Sequence, residues 1–247
     1  MHHFYIDEYS GIKSPLHRIE ARVKIIIFFT FILFIVLTPP AAYRAFSLYG
    51  SLILVLTGLS GIPWRFIFIR SLTIFPFVIM VAIFIPFLKR GTEAGGYSYE
   101  GITLFWSILI KAYLTIICVI LLVSSTKFNC LLKAFEKMRL PKVFIMIMSF
   151  MYRYIFVIID EVMATKQAKD ARSTGGSRWL QAKASANILG SLFIRTYEKG
   201  ESVYLAMCSR GFNGEIRTTD RFKISGFDII FLAAMVLALT AIRIFTG

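Results

Sequence analysis

Histidine, cysteine and acid are scarce in this 247-residue chain, and their positions exclude several chemistries. The three histidines, His2, His3 and His17, all stand near the start. Met1-His2-His3 has the donors to chelate Ni²⁺ or Cu²⁺, but a free terminus is the plainer reading of it. The three cysteines, Cys118, Cys130 and Cys208, have neither Cys-x-x-Cys nor His-paired spacing, so neither a disulfide framework nor a metal site is expected. No Gly-x-x-x-x-Gly-Lys-Ser/Thr loop occurs, so nothing in the chain cradles nucleotide phosphates. Asp and Glu total 14 against 28 Lys and Arg, and the apolar blocks hold almost no acid. A membrane enzyme needs a carboxylate or histidine constellation at membrane depth, and Lys111 and Arg153 are the main charges available there. Lys111 is expected to be satisfied by a neighbouring helix or to snorkel. No catalytic residue, cofactor or metal ligand is expected.

What the chain has in abundance is apolar surface. It is 57% hydrophobic, with 24 Phe and a mean hydropathy of +0.71, whereas soluble domains average about 45–50% apolar residues. The apolar residues fall in blocks of the length that crosses ~30 Å of hydrocarbon. The fold class expected is all-α, a polytopic helical membrane protein with long cytoplasmic helices. The net charge of +14 then reads as the Lys/Arg excess of cytoplasmic loops facing an anionic membrane lipid surface, not as nucleic-acid binding.

Five blocks read as spans. The first, Val23–Leu37, stops at Thr38-Pro39-Pro40 and is short, with Arg22 and Lys24 placed to snorkel at its inner end. With charges before it and no small-x-small exit after it, it is expected to remain as a span and not to be cleaved. The others are about Ala45–Leu59, Phe66–Leu88 with Pro76 and Pro86 inside it, Ile102–Val123 and Phe227–Phe245. The polar loop Lys89–Gly101 separates the third from the fourth. A sixth apolar stretch, Val143–Ile159, carries Arg153. Were it to cross, the basic residues from Lys166 to Lys223 would face outward, against the charge bias. It is therefore expected not to cross, but to begin a long membrane-embedded helix that continues into the cytoplasm. The resulting organisation is a four-span membrane domain over 1–124, cytoplasmic helices over 125–226 and a C-terminal span over 227–247. The N-terminus is placed in the cytoplasm of a bacterial or archaeal cell and the protein in its cytoplasmic (inner) membrane.

Within 125–226 the pattern predicts a short helix at about Phe128–Met138, which stops before Leu140-Pro141, and two long ones. The first long helix, about Lys142–Ala171, runs into Ser173-Thr174-Gly175-Gly176; the second, about Trp179–Ser209, ends at Gly211. They close alike, on Ala171-Arg172-Ser173 and Ser209-Arg210-Gly211. A single small-Arg-small ending is explained by a cation complementing the helix dipole. Two of them suggest recognition, because small neighbours allow a facing backbone to approach and Arg presents a five-donor fork.

Tyr204-Leu205-Ala206-Met207-Cys208-Ser209-Arg210-Gly211-Phe212 resembles the closing motif of the CbiQ/EcfT family, the transmembrane T components of energy-coupling factor transporters. The opening, from Pro15-Leu16-His17-Arg18 through Lys24 to Leu37-Thr38-Pro39, is similar to the family's opening, so the resemblance covers nearly the whole chain. Ser173 stands where the family more often has Gly, and Ser209 where it more often has Ala; both keep the small-Arg-small character. The resemblance implies that Arg172 and Arg210 dock onto two cytoplasmic ABC-type ATPase subunits. It implies further that the chain links them to a separate substrate-binding membrane subunit, and it leans toward cobalt or nickel import. A vitamin-type substrate subunit is the alternative. An autonomous secondary transporter is weaker still, because Pro76 and Pro86 interrupt one span with no counterpart in a second half.

Overall fold

The computed structural model describes Ser14, Leu16 and residues 19–88, 99–172, 177–214 and 226–246. Met1-His2-His3, His17, most of the loop from Lys89, Ser173 with Thr174-Gly175-Gly176, and Arg217, Arg221 and Lys223 lie outside the described residues. The described residues are helical and contain no strand: α1 (Ala21–Leu37), α2 (Tyr43–Ser60), α3 (Trp64–Leu88), α4 (Tyr99–Ser124), α5 (Phe128–Lys137), α6 (Lys142–Arg172), α7 (Arg178–Ser209) and α8 (Gly226–Thr246). The chain is thus an all-α protein of the polytopic kind.

Among the described residues, four helical segments are long and apolar enough to cross a membrane: Trp64–Phe84, Gly101–Ser124, Lys142–Arg172 and Gly226–Phe245. Of the other two expected spans, α1 has only 17 residues, and α2 carries Arg44 and several hydroxyls within its 18. Lys142–Arg172 qualifies by length and composition, so its expected non-crossing rests on charge alone.

Two compact units are present, the described residues of Met1–Ala134 with Arg221–Gly247, and those of Phe135–Asp220. In the first, α1, α2, α4 and α8 bury Phe28, Phe31, Ile35, Tyr49, Leu121 and Leu239 around one another. The Phe31 and Tyr49 rings meet edge to face at 5.8 Å. Helix α3 pairs closely with α4, and both contribute small buried residues, Ser71, Ala82 and Ser107, each at most 1% exposed. In lipid, such residues let helix backbones approach where no hydrophobic force draws them together.

Buried polar contacts tie the helix ends of this unit. Lys24 was expected to snorkel; instead it is 3% exposed and donates to the Ser125 carbonyl at 2.8 Å. The cause is packing, since α4 ends beside the start of α1 and its last carbonyls need a donor more than the lysine needs water. The Glu20 amide donates to Asp228 Oδ1 at 3.3 Å, which joins α8's first turn to the same end. At the opposite end, Lys111 Nζ donates to the carbonyls of Val36 (2.9 Å) and Thr38 (2.6 Å). Arg243 donates to Leu37 O at 2.9 Å. Lys111 is thus satisfied by a neighbouring helix.

Candidate functional site

The second unit consists mainly of α6 and α7. Its register follows from two side-chain contacts: Arg195 Nη1 to Glu161 Oε1 at 2.9 Å, and Lys169 Nζ donating to Ser185 Oγ at 3.1 Å. As the number rises along α6, the partner's number falls along α7, so the pair is an antiparallel hairpin. Ser177 caps the start of α7, its side chain accepting from the Leu180 amide. No residue of either helix is buried.

The register decides where the two arginine endings lie. Ala171 and Arg172 finish α6, both exposed, within one turn of the Lys169–Ser185 contact and therefore beside the early part of α7. Ser209, Arg210 and Gly211 finish α7, also exposed, level with the early part of α6. Measured along α7 from Ser185 to Arg210, the separation is about 38 Å at roughly 1.5 Å per residue. The structure does not bring the two arginines together; it holds them at opposite ends of one hairpin. Ser173 is outside the described residues.

The end of α7 has a specific local cause. Phe212 N–H donates to Met207 O at 3.1 Å and Gly211 N–H to Cys208 O at 3.0 Å. This is the paired bonding of a Schellman motif, with Gly211 at φ +78° in the left-handed position. Gly211 is therefore favoured by the backbone turn, whatever it touches. Arg210, with φ −94° and ψ 11°, is the cap residue itself, so its side chain leaves from the helix tip. Among the described residues neither the Arg172 nor the Arg210 guanidinium has a hydrogen bond or ion pair. Nearly two turns earlier, a side-chain hydrogen bond to Cys208 pushes the Tyr204 phenol above its ordinary range.

Between the helices lies an open groove of about 390 Å³. Its apolar walls include Phe150, Tyr154 and Val157 from α6, and Val203 and Met207 from α7, with Gly200 leaving room between them. The Glu161–Arg195 pair and Lys199 make it polar at one end. No groove is among the features expected from the sequence. Its signal was available as apolar or small residues three and four apart on two facing stripes, 150-154-157 and 196-200-203-207. Arg153, by contrast, is exposed, its guanidinium 6.0 Å from the Tyr154 ring centre. Chemically, the unit offers two cationic forks at distant tips and an apolar trough between its helices. Among the described residues no group of three His, Cys, Asp or Glu is placed to hold a metal ion.

Residues 12–220 match the family model of CbiQ, described as a cobalt transport protein. An uncharacterised protein of Methanocaldococcus jannaschii is 29% identical over 243 residues, covering 92% of this chain and 82% of its own length. A putative fused cobalt transport protein CbiMQ of Methanocorpusculum labreanum is 29% identical over 218 residues; the match covers 83% of this chain but 36% of that longer protein. The energy-coupling factor transporter transmembrane protein EcfT of Ruminiclostridium cellulolyticum is 27% identical, covering 95% of this chain and 94% of its own.

Proposed function

We propose the following role for this chain, which belongs to the CbiQ family of cobalt transport proteins: it is the transmembrane coupling subunit of an energy-coupling factor importer. It carries ATP-driven motion from two cytoplasmic ATPase subunits to a substrate-binding membrane subunit. The observation that carries this reading is the pair of arginines at opposite tips of the α6–α7 hairpin, neither of them engaged among the described residues. Tips about 38 Å apart suit two separate docking clefts better than one. Guanidinium forks suit carboxylates or carbonyls at the floor of such clefts.

In this mechanism α6 and α7 act as levers. Closure of the ATPase pair on nucleotide moves Arg172 and Arg210, and the hairpin transmits the movement to the membrane helices and the substrate subunit. The chain hydrolyses nothing itself. The cytoplasmic side is assigned to the N-terminus and to α6–α7 by the Lys/Arg bias. Val143–Ile159 is then an embedded start to α6 and not a sixth crossing.

Of the expected cargoes, cobalt or nickel, the family description and the fused relative's name favour cobalt. A vitamin-type substrate subunit, left open by the resemblance of the sequence, is the second reading. Uptake of ⁵⁷Co²⁺ or ⁶³Ni²⁺ by the reconstituted complex separates the two. For the coupling role, Arg172→Glu and Arg210→Glu should each reduce ATPase co-purification and abolish uptake, because charge reversal at a desolvated contact costs several kcal/mol. Unchanged assembly and uptake in both variants would refute it.

A further inference from the structure

The three cross-helix contacts at the α1–α2 end fix the height of that end. On α1, Lys24 and Leu37 take part in the lower and upper polar contacts and stand about 20 Å apart at roughly 1.5 Å per residue. On α4, the corresponding residues Ser125 and Lys111 are about 21 Å apart, and on α8, Asp228 and Arg243 are about 22 Å apart. The helices agree, so this side of the bundle offers some 20 Å between its polar layers, where a bilayer core measures ~30 Å. The other side is taller. Helix α4 begins at Tyr99, about 18 Å beyond Lys111. The Phe75 and Tyr113 rings, 6.1 Å apart, set α3 against α4 so that Phe77 stands level with Lys111. Phe77 is 70% exposed, and Met80, Val81 and Phe84 above it are exposed too. The same height is therefore apolar and exposed on α3 and cationic on α4 and α8, beside the end of α1.

Lys111 donates to two carbonyls and Arg243 to one, which leaves further N–H groups and a net positive charge beside the α1–α2 turn, with Arg44 exposed at the start of α2. The acidic side chains described in this unit, Glu20 and Asp228, sit at the opposite end. We propose that the α1–α2 turn is a lipid-phosphate site, at which Lys111, Arg243 and Arg44 hold a phospholipid headgroup below the level of the α3–α4 tip and thin the bilayer on this side only. A bilayer meeting a short hydrophobic surface responds by thinning, and phosphate oxygens accept from Lys and Arg in the geometry carbonyls already use here. A carboxylate from a partner membrane protein is the rival occupant, but the mismatch in height calls for lipid without any partner. The proposal rests on the chain spanning a membrane and not on its coupling role.

The full chain in phosphatidylethanolamine/phosphatidylglycerol nanodiscs tests it. Cys130 and Cys208 are replaced by Ser; Cys118 is buried and does not label. Spin labels on Ala41→Cys and Phe77→Cys are then read for depth by power saturation. The Ala41 label should report headgroup depth and the Phe77 label hydrocarbon. Native mass spectrometry should show retained phospholipid that falls about tenfold in Lys111→Met/Arg243→Met and returns in Lys111→Arg/Arg243→Lys. Equal depth at the two labels overturns the proposal. So does a difference that appears only when partner subunits are added, which would assign the site to protein.

Discussion

Glu161 and Arg195, bonded at 2.9 Å across two helices, set α6 against α7 and thereby place Arg172 and Arg210 at opposite tips. The pair is partly exposed, 37% on the Glu side and 63% on the Arg side, so its contribution to stability is small, about 0–1 kcal/mol. Its effect should show in register. Arg195→Glu, which puts two acids face to face, is expected to weaken hairpin closure. The swap Glu161→Arg/Arg195→Glu should recover it. A double-mutant cycle on uptake or thermal unfolding should give a coupling of about 0.5 kcal/mol.

Among the described residues three helices end with a residue in left-handed backbone, two with glycine (Gly61 after α2 and Gly211 after α7) and one without. Gly211 closes α7 at φ +78°, and Arg139 closes α5 at φ +67° with the same paired bonding, Leu140 N–H to Phe135 O and Arg139 N–H to Glu136 O. A side chain in this conformation costs roughly 1–2 kcal/mol relative to glycine. Gly211→Ala should therefore lower stability by about 1 kcal/mol, and Arg139→Gly should raise it by about as much, less some entropy gained by the unfolded chain. Melting of the purified protein in detergent checks both signs. If Arg139→Gly melts lower than wild type, the strain at Arg139 is offset by contacts its side chain makes.

The helices were legible because their signals are local. Prolines 39, 40 and 141 stop helices, glycines 61 and 211 close them, and apolar runs fill them. Block ends read from these signals fall within about three residues of α1 through α8. Levels were not legible. Nothing in the run Val23–Leu37 says that it ends beside the middle of α4, since that depends on Lys111 and Arg243 meeting three carbonyls from positions remote in the chain. The burial of Lys24 is not legible for the same reason, its partner Ser125 being 101 positions away. Arg172 and Arg210 were visible as a repeated ending, but their separation needed the hairpin register. The groove between α6 and α7 needed two facing stripes to be paired, and a single sequence does not say which stripes face.

Lys111 should be worth more than its position in an apolar helix suggests. Its ammonium supplies donors to Val36 and Thr38, the last carbonyls of α1 before Pro39, which has no N–H to continue the helix. Lys111→Met leaves both without this donor and is expected to cost about 1–3 kcal/mol. Lys111→Arg should retain most of the stability because a guanidinium can also serve two acceptors. Thermal unfolding in detergent, compared across wild type, Met and Arg, reads the effect without reference to transport.

The separation of Arg172 from Arg210 leads to a prediction about additivity. Sites more than about 7–10 Å apart that share no partner contribute independently to a binding free energy. If each tip docks on its own ATPase subunit, the losses in ATPase affinity from Arg172→Ala and Arg210→Ala should sum in the double variant, on a logarithmic scale. Each single variant should leave one subunit bound. Lysine at either position should recover only part of the loss, because an ammonium keeps the charge but not the planar fork. Titration of the ATPase onto the chain in nanodiscs, read as stoichiometry and Kd, distinguishes this from a single composite cleft. In a composite cleft either single substitution would release both subunits together, and the double variant would be no worse than the weaker single.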